Sequence, residues 1–319
     1  MAPSFDPAKD IPSLEGKIII VTGGNTGLGK QTIAYLAAHG PARIYLAART
    51  ESKALAAISD IRASVPNAPP IEYLPLDLSS FASIEAAASA FKARESRLDL
   101  LVNNAGVMMT PYQLTKEGYE LQLGTNHMGH MLFTKLLLPV LLATAEQQKK
   151  DTGNDKSDVR IVNVSSLGHS FAPPFSGIIL DPTKWPGQWT GFHYGQSKLA
   201  NILFARELAV RYPSITSVSV HPGIIWTDLW TAASEHWLMR WGVAIYAMMW
   251  RFLPGHFEDT KTGALSQTWA ATVETRRLEN GGYYVPVGKK GMTTPHARSK
   301  ELAKKLWEWT EAQFERHGY

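Results

Sequence analysis

Lys17-Ile18-Ile19-Ile20-Val21-Thr22-Gly23-Gly24-Asn25-Thr26-Gly27-Leu28-Gly29-Lys30 is the stretch that decides how this 319-residue chain folds. A β-branched run, a cluster of glycines, and then Gln31-Thr32-Ile33-Ala34-Tyr35-Leu36 with helical spacing read as strand, tight turn and helix. Such a turn leaves bare backbone N–H groups at a helix N-terminus, where the dipole favours an anion. Gly23 frees the turn, Gly27 lets a pyrophosphate approach the backbone, and Gly29 allows close packing of helix on strand. The spacing Gly-x-x-x-Gly-x-Gly differs from the commonest dinucleotide fingerprint, Gly-x-Gly-x-x-Gly, but offers the same physics. Glycines also mark ordinary strand–helix turns. Their place about 20 residues before the end of a second strand is what points to a nucleotide.

That second strand is Ala42-Arg43-Ile44-Tyr45-Leu46-Ala47-Ala48, with Arg49 at its carboxyl end. An acidic residue there would hold a ribose 2′-hydroxyl, whereas an arginine can pair with a 2′-phosphate. The pattern therefore favours NADP(H), with Lys53 as a second phosphate candidate and a solvated surface arginine as the alternative. A helix over about 51–64 leads to a third strand, 71–76, ended by Asp77-Leu78. Asp77 either accepts from an adenine amino group or caps the next helix, about 80–96. A fourth strand, 98–102, runs into Asn103-Asn104-Ala105-Gly106. Alternating strands and helices predict an α/β chain, a single Rossmann-like doubly wound parallel sheet with helices on both faces. Ligands of such sheets sit beyond the strands' carboxyl ends, where Gly23, Arg49, Asp77 and Asn104 would all project.

A long helix over about 115–143 carries Asn126, a residue that helix interiors disfavour. A polar loop over 146–158 precedes a fifth strand, 159–164, ending at Ser165-Ser166. Residues 167–192 read as loop; Tyr194 opens a helix to about residue 212, and a sixth strand, 214–220, ends at His221-Pro222-Gly223. An apolar substrate-covering insertion occupies 224–257, followed by a helix over about 258–274 and a short strand, 282–285. Residues 1–16 form an irregular lead-in and 295–319 a helical tail, so that 1–319 makes one domain.

The absence of cysteine excludes disulfides and thiol nucleophiles, and no metal site is expected. A net charge of +4, with basic residues spread along the chain, argues against a nucleic-acid partner. The first ten residues hold no apolar run of a secretory signal, which fits a cytoplasmic location. Residues 237–253 are strongly apolar, yet Arg240 and Arg251 leave too short a span to cross a bilayer. Two readings stand: a helix covering the pocket, or a peripheral membrane contact with tryptophans at the interface.

Tyr194 and Lys198 are four apart and share a helix face. A nearby ammonium stabilises phenolate and brings a tyrosine toward working range as a proton carrier. Ser166, at a strand end, can hydrogen-bond a substrate oxygen or simply cap a turn. With the nucleotide strand ends, these residues suggest hydride exchange at a carbonyl carbon while a phenol moves the oxygen's proton.

These motifs resemble the short-chain dehydrogenase/reductase family across about residues 15–285, in particular its retinol-dehydrogenase-like branch, which includes fungal secondary-metabolism reductases. The resemblance implies a catalytic set of Ser166, Tyr194, Lys198 and Asn126. Tyr194 would be the general acid in reduction and base in oxidation, Lys198 would lower its pKa and hold the nicotinamide ribose, and Ser166 would support the oxyanion. Asn126 would anchor a water relaying protons to Lys198, and bend its helix. The implied cofactor set is Thr22, Gly23, Asn25, Thr26, Gly27, Leu28 and Gly29 in the turn, then Arg49, Lys53, Asp77, Leu78, Asn104, Ala105 and Gly106. Tyr194, Lys198, Pro222, Gly223, Ile225 and Thr227 complete it.

His169, Trp189, His193, Trp226 and Trp230 are the candidates for lining a substrate pocket, which suits a lipophilic or aromatic carbonyl or alcohol. The leading expectation is an NADP(H)-dependent oxidoreductase on such a substrate. The alternatives are an epimerase, isomerase or cyclase on the same fold, or a nucleotide-binding scaffold docked to a membrane. A homodimer paired through the helices carrying Asn126 and Tyr194 is compatible with the resemblance.

Overall fold

The first strand, β1 (Ile18–Thr22), is buried along its whole length, and its side chains alternate between two cores. Ile18 and Ile20 enter one, Ile19 and Val21 the other. A strand apolar on both faces must be covered on both, which is the burial that a parallel sheet with flanking helices provides. The computed structural model describes residues 5–153, 155–223, 225 and 259–319.

Beside β1 lie β2 (Arg43–Ala48), β3 (Ile71–Pro75), β4 (Leu100–Asn103), β5 (Arg160–Val164), β6 (Thr216–Val220), β7 (Tyr283–Val285) and β8 (Lys289–Lys290). Their spatial order is β3-β2-β1-β4-β5-β6-β7-β8, and every pairing is parallel except the last. The chain thus winds outward from β1 in one direction and resumes at β4 in the other. The crevice between the carboxyl ends of β1 and β4 is the topological switch point, where open α/β sheets take their ligands.

The helices α1 (Gly27–Ala37), α2 (Glu51–Ser64) and α6 (Thr260–Thr272) cover one face through Ile33, Leu36, Ile58, Ile61 and Trp269. On the other face pack α3 (Phe81–Lys92), the helical run α4 (Leu121–Thr152), α5 (Thr190–Arg211) and α7 (Lys300–Arg316). The C-terminal tail belongs to this body. Trp307 stacks on Phe204 of α5 at 5.9 Å, and Phe314 meets Phe81 edge-on at 5.4 Å.

Several expected boundaries move. The polar segment 146–158 is not a loop throughout, since α4 continues to Thr152. Glu146, Gln147, Gln148, Lys149 and Lys150 are good helix formers, and the Lys149–Glu146 and Gln147–Asp151 side-chain bonds bridge its last turns. Gly153, at φ +67°, then ends the helix. At its other end α4 starts at Leu121 rather than 115, because the Glu120 carboxylate accepts from the amides of Gln122 and Leu123 at 2.9 and 2.8 Å. Helix α5 begins at Thr190, so Tyr194 lies inside it rather than at its start. The run Leu121–Thr152 is apolar enough to suit a membrane, but two thirds of its most apolar window is buried (67%), as in a core helix. Strand β8 was unforeseen. It is two exposed lysines at the sheet edge, a composition that discourages further strand pairing.

Candidate active site

The glycine turn closes over the β1 end. Gly23 and Gly27 adopt left-handed backbone, at φ +66° and +53°. A Cβ on Gly29 would strike the Gly23 carbonyl and lie 2.6 Å from Asn104 Nδ2, so the close approach inferred for Gly29 is a physical requirement. Gly24 carries a similar constraint that spacing did not reveal: a Cβ there would meet Ile33 Cδ1 at 2.5 Å and Leu46 Cγ at 2.8 Å. The Thr26 side chain makes no cap bond to the first turn of α1, unlike Ser80, Asp259 and Ser299 at other helix starts. The amides of Gly27, Leu28 and Gly29 therefore begin a helix with no side-chain oxygen capping it. Asn25, half-buried, sits in the same turn.

Leu28 and Ile225 converge on Gly263 of α6, where a Cβ would collide with Ile225 and lie 2.8 Å from Leu28 Cδ2. Pro222 and Gly223, the latter at φ +106°, carry the chain from β6 toward Ile225. Thr227, Trp226, Trp230 and the apolar stretch 237–253 lie outside the described residues.

Arg49, just beyond β2, and Lys53, in the first turn of α2, are both exposed. Among the described residues neither side chain has an ion-pair or hydrogen-bond partner, and Thr50 places no side-chain cap on α2. Two unpaired cations beside an uncapped helix N-terminus suit a phosphate. Asp77 Oδ1 accepts from the amide and hydroxyl of Ser79 at 3.0 and 2.6 Å, so it serves as a turn cap. The Leu78 carbonyl abuts Gly129 of α4 so closely that a Cβ there would collide with it. Asn104 donates to the Thr22 carbonyl at 2.8 Å and accepts from Gln267 at 3.0 Å, which ties the ends of β1, β4 and α6 together. Ala105 donates its amide to Thr22 Oγ1 at 3.0 Å.

Thr22 Oγ1 also meets His130 Nε2 at 2.8 Å, while His130 Nδ1 lies 2.9 Å from the Asn126 carbonyl. A carbonyl only accepts, so Nδ1 carries the proton and Nε2 accepts from Thr22. Burial lowers the His130 pKa to about 4, which keeps the ring neutral. Asn126 itself lies in a π-turn, Gly124–Met128, the local distortion expected of its helix. Its Oδ1 accepts from the Val107 amide at 2.8 Å, and its Nδ2 donates to Val107 O and Ser197 Oγ, both at 2.9 Å. Ser197 Oγ in turn donates to the Tyr194 carbonyl at 2.8 Å. A chain of hydrogen bonds therefore runs from the glycine turn to the helix of Tyr194. No sequence spacing announced His130 or Ser197 as its links.

Ser166, Tyr194 and Lys198 are brought together by the end of β5 and the second and third turns of α5. Lys198 Nζ lies 5.8 Å from the Tyr194 ring centre and donates to the Val164 carbonyl at 3.1 Å. A Cβ on Gly106 would lie 3.4 Å from the same Nζ and 3.1 Å from Asn126 Oδ1, so this glycine leaves space between them. Burial lowers Lys198 to about 8. Burial raises the Tyr194 phenol above its ordinary value, and the nearby Ser166 hydroxyl pulls the other way. Desolvation is the larger of the two effects on the phenol in this arrangement. Gly168, overlooked in the sequence, presses on the phenol; a Cβ there would lie 2.6 Å from Tyr194 Cε1.

The pocket candidates divide. Trp189 is half exposed and meets Phe171 and Phe192 edge-on at 6.0 and 5.4 Å. His193 is buried, 3.9 Å from Glu120 and 5.8 Å from the Tyr112 ring. His169 turns inward to the Ser166 carbonyl, at 2.8 Å from Nδ1.

Residues 17–177 match the short chain dehydrogenase family model. A short-chain dehydrogenase/reductase of Aspergillus calidoustus is 39% identical over 320 residues, spanning 98% of both chains. Human retinol dehydrogenase 12 is 37% identical over 297 residues, covering 92% of this chain and 85% of the relative. Among solved structures, the RhlG/NADP active-site complex of Pseudomonas aeruginosa superposes with a TM-score of 0.65 at 22% identity, covering 86% of this chain and 96% of the other.

Proposed function

Since the chain belongs to the short-chain dehydrogenase/reductase family of oxidoreductases, we propose that it is an NADP(H)-dependent enzyme acting on a lipophilic or aromatic ketone, aldehyde or alcohol. The observation that carries this reading is the meeting of Ser166, Tyr194 and Lys198 at the carboxyl edge of the sheet, beside the switch-point crevice. The preference for the phosphorylated cofactor rests on Arg49 and Lys53, unpaired beside the uncapped α2, and is supported by the NADP bound in the Pseudomonas neighbour.

The residues present fit a dinucleotide. Gly23, Gly27 and Gly29 clear space at the uncapped start of α1 for a pyrophosphate, Arg49 and Lys53 receive a 2′-phosphate, and Leu28, Ile225, Pro222 and Gly223 flank the crevice. A nicotinamide held there supplies or accepts the hydride at the substrate carbon. Tyr194, kept protonated by burial, gives its phenolic proton to the carbonyl oxygen in reduction and recovers it from the alcohol in oxidation. The Ser166 hydroxyl donates toward the same oxygen as negative charge develops. Lys198 places a positive charge beside the phenol, which favours its deprotonated form after transfer. Asn126 and Ser197 hold that helix turn in register. Trp189, Phe171 and Phe192 offer edge-to-face aromatic surface to a lipophilic substrate. A cytoplasmic location, peripheral membrane contact through 237–253 and homodimer formation belong to the same proposal.

A panel of lipophilic ketones, aldehydes and quinones, followed by NADPH absorbance, tests it. Turnover of at least one member, with NADPH preferred to NADH, is the expected result. Tight NADPH binding with no turnover across the panel would contradict it.

A further inference from the structure

Behind Ser166, three buried polar atoms have no partner among the described residues: His169 Nε2, His221 Nδ1 and the Tyr283 hydroxyl. Their residues are only 1%, 4% and 4% exposed, so solvent does not satisfy them. Orphaned buried polar atoms are rare and costly, and three around one turn require a reason.

His169 Nδ1 lies 2.8 Å from the Ser166 carbonyl. Because that oxygen only accepts, Nδ1 bears the proton and Nε2 is left as a bare acceptor. The His169 amide reaches the same oxygen at 3.1 Å, so one residue occupies both lone pairs of the Ser166 carbonyl. In the same turn Ser166 Oγ accepts the Gly168 amide at 3.0 Å. With that lone pair engaged, the Ser166 hydroxyl proton is available for donation toward Tyr194, since Ser166 Oγ and the Tyr194 ring both lie against Gly168. The Gly168 backbone meanwhile lies against the Tyr194 ring. Every one of these contacts depends on how the turn over Leu167–Phe171 is held.

What holds it from behind is the polar cluster. The His169 ring stands edge-on to Tyr283, with centroids 5.3 Å apart and planes at 73°. Tyr283 on β7 pairs with Ser219 of β6, and the His221 amide just past β6 donates to the Tyr284 carbonyl at 2.8 Å, which brings both residues to the same sheet edge. A bare acceptor on His169 and an unpaired hydroxyl on Tyr283 are complementary, and one internal water between them would satisfy both.

We propose that His169, backed by Tyr283 and His221, is a positioning residue that locks the Ser166 turn and so presents the Ser166 hydroxyl as a fixed donor at Tyr194. His169 thus acts as support beneath the reacting groups rather than as the pocket wall its place in the sequence suggested. The inference rests on the reading of Tyr194 as the proton carrier.

Three variants test it: His169→Leu removes both ring nitrogens, His169→Asn retains a side-chain N–H near the Nδ1 position, and Tyr283→Phe removes the hydroxyl behind it. Two measurements are made. One is NADPH-coupled turnover of a carbonyl that the wild type reduces. The other is tyrosinate absorbance against pH, taken as the difference between each protein and the same protein carrying Tyr194→Phe, which isolates one phenol of the 11. His169→Leu should lower kcat roughly tenfold while KM for NADPH changes less than about twofold, and should move the Tyr194 titration to higher pH as the phenolate loses its donor. His169→Asn should stay within about threefold of the wild type, with a titration close to it. The proposal is overturned by His169→Leu matching the wild type in both measurements, or by a folded His169→Asn as impaired as His169→Leu. If His169→Leu does not fold, Tyr283→Phe decides: an upward move of the Tyr194 titration supports the proposal and an unmoved one overturns it. If the wild type reduces no carbonyl, the functional reading fails, and the titration still decides the positioning role by itself.

Discussion

The Lys198 ammonium lies 5.8 Å from the centre of the Tyr194 ring and gives its hydrogen bond to the Val164 carbonyl, so lysine and phenol are neighbours coupled through space. Burial holds Lys198 at about 8 in the folded protein, against 10.5 for the ordinary side chain. Between those values the unfolded chain binds the proton and the folded protein does not, so stability rises with pH across that window. Below it the fold carries a buried charge. Lys198→Met removes the dependence, and any stability advantage of the variant at neutral pH should shrink by roughly 3 kcal/mol as the pH approaches 10.5. Urea midpoints of the two proteins against pH check this, with turnover lost in the variant at every pH.

The Arg49 side chain has no partner among the described residues and stands beside the uncapped start of α2. Arg49→Asp exchanges a cation suited to a 2′-phosphate for an anion that repels one. NADPH affinity should fall roughly tenfold to a hundredfold, while NADH affinity holds or improves. Fluorescence titration with both cofactors measures it, and equal loss for both would remove Arg49 from the phosphate site.

Gly29→Ala should cost about 1–3 kcal/mol of stability, because the added methyl must displace the Gly23 carbonyl and Asn104 Nδ2. Gly153→Ala is the control, since its Cβ meets nothing within 4 Å and only the left-handed backbone, at φ +67°, is strained, by about 1–2 kcal/mol. The two should differ more clearly in NADPH binding, lost in the first and kept in the second.

Glu120 is fully buried, and burial raises its carboxyl to about 7 from 4.5. Between those values the folded protein holds a proton that the unfolded chain has released, so stability falls as pH rises through the window. Glu120→Gln removes the ionisation. The wild type should lose roughly 3 kcal/mol relative to the variant between about pH 4.5 and pH 7, measured as the difference of their unfolding midpoints.

How much of this was legible depended on whether a feature is local. The alternation of Ile18-Ile19-Ile20-Val21 with its glycine turn specifies a buried parallel strand and a helix start, and both are found. Tyr194 and Lys198 share a face because four residues make about one helical turn. The strand order, with β4 returning beside β1, had to come from packing. The end of α4 was misread because polar residues suggest loop, whereas Glu146 to Lys150 propagate a helix on its solvent side. Residues whose role lies in contact across the sequence were invisible: Gly24 against Leu46, His130 between Thr22 and Asn126, and Gly168 against the Tyr194 ring. His169 reads from the sequence as a candidate for lining the pocket, but its direction is set by the turn that Ser166 begins.

The central claim is that Tyr194 moves the proton at a carbonyl held in this site, and Tyr194→Phe tests it most directly because the ring and its packing against Gly168 are preserved. Single-turnover reduction by NADPH should slow by about a hundredfold or more, with NADPH affinity and thermal midpoint close to the wild type. Turnover within a few-fold of the wild type in a folded, cofactor-binding variant would contradict the account.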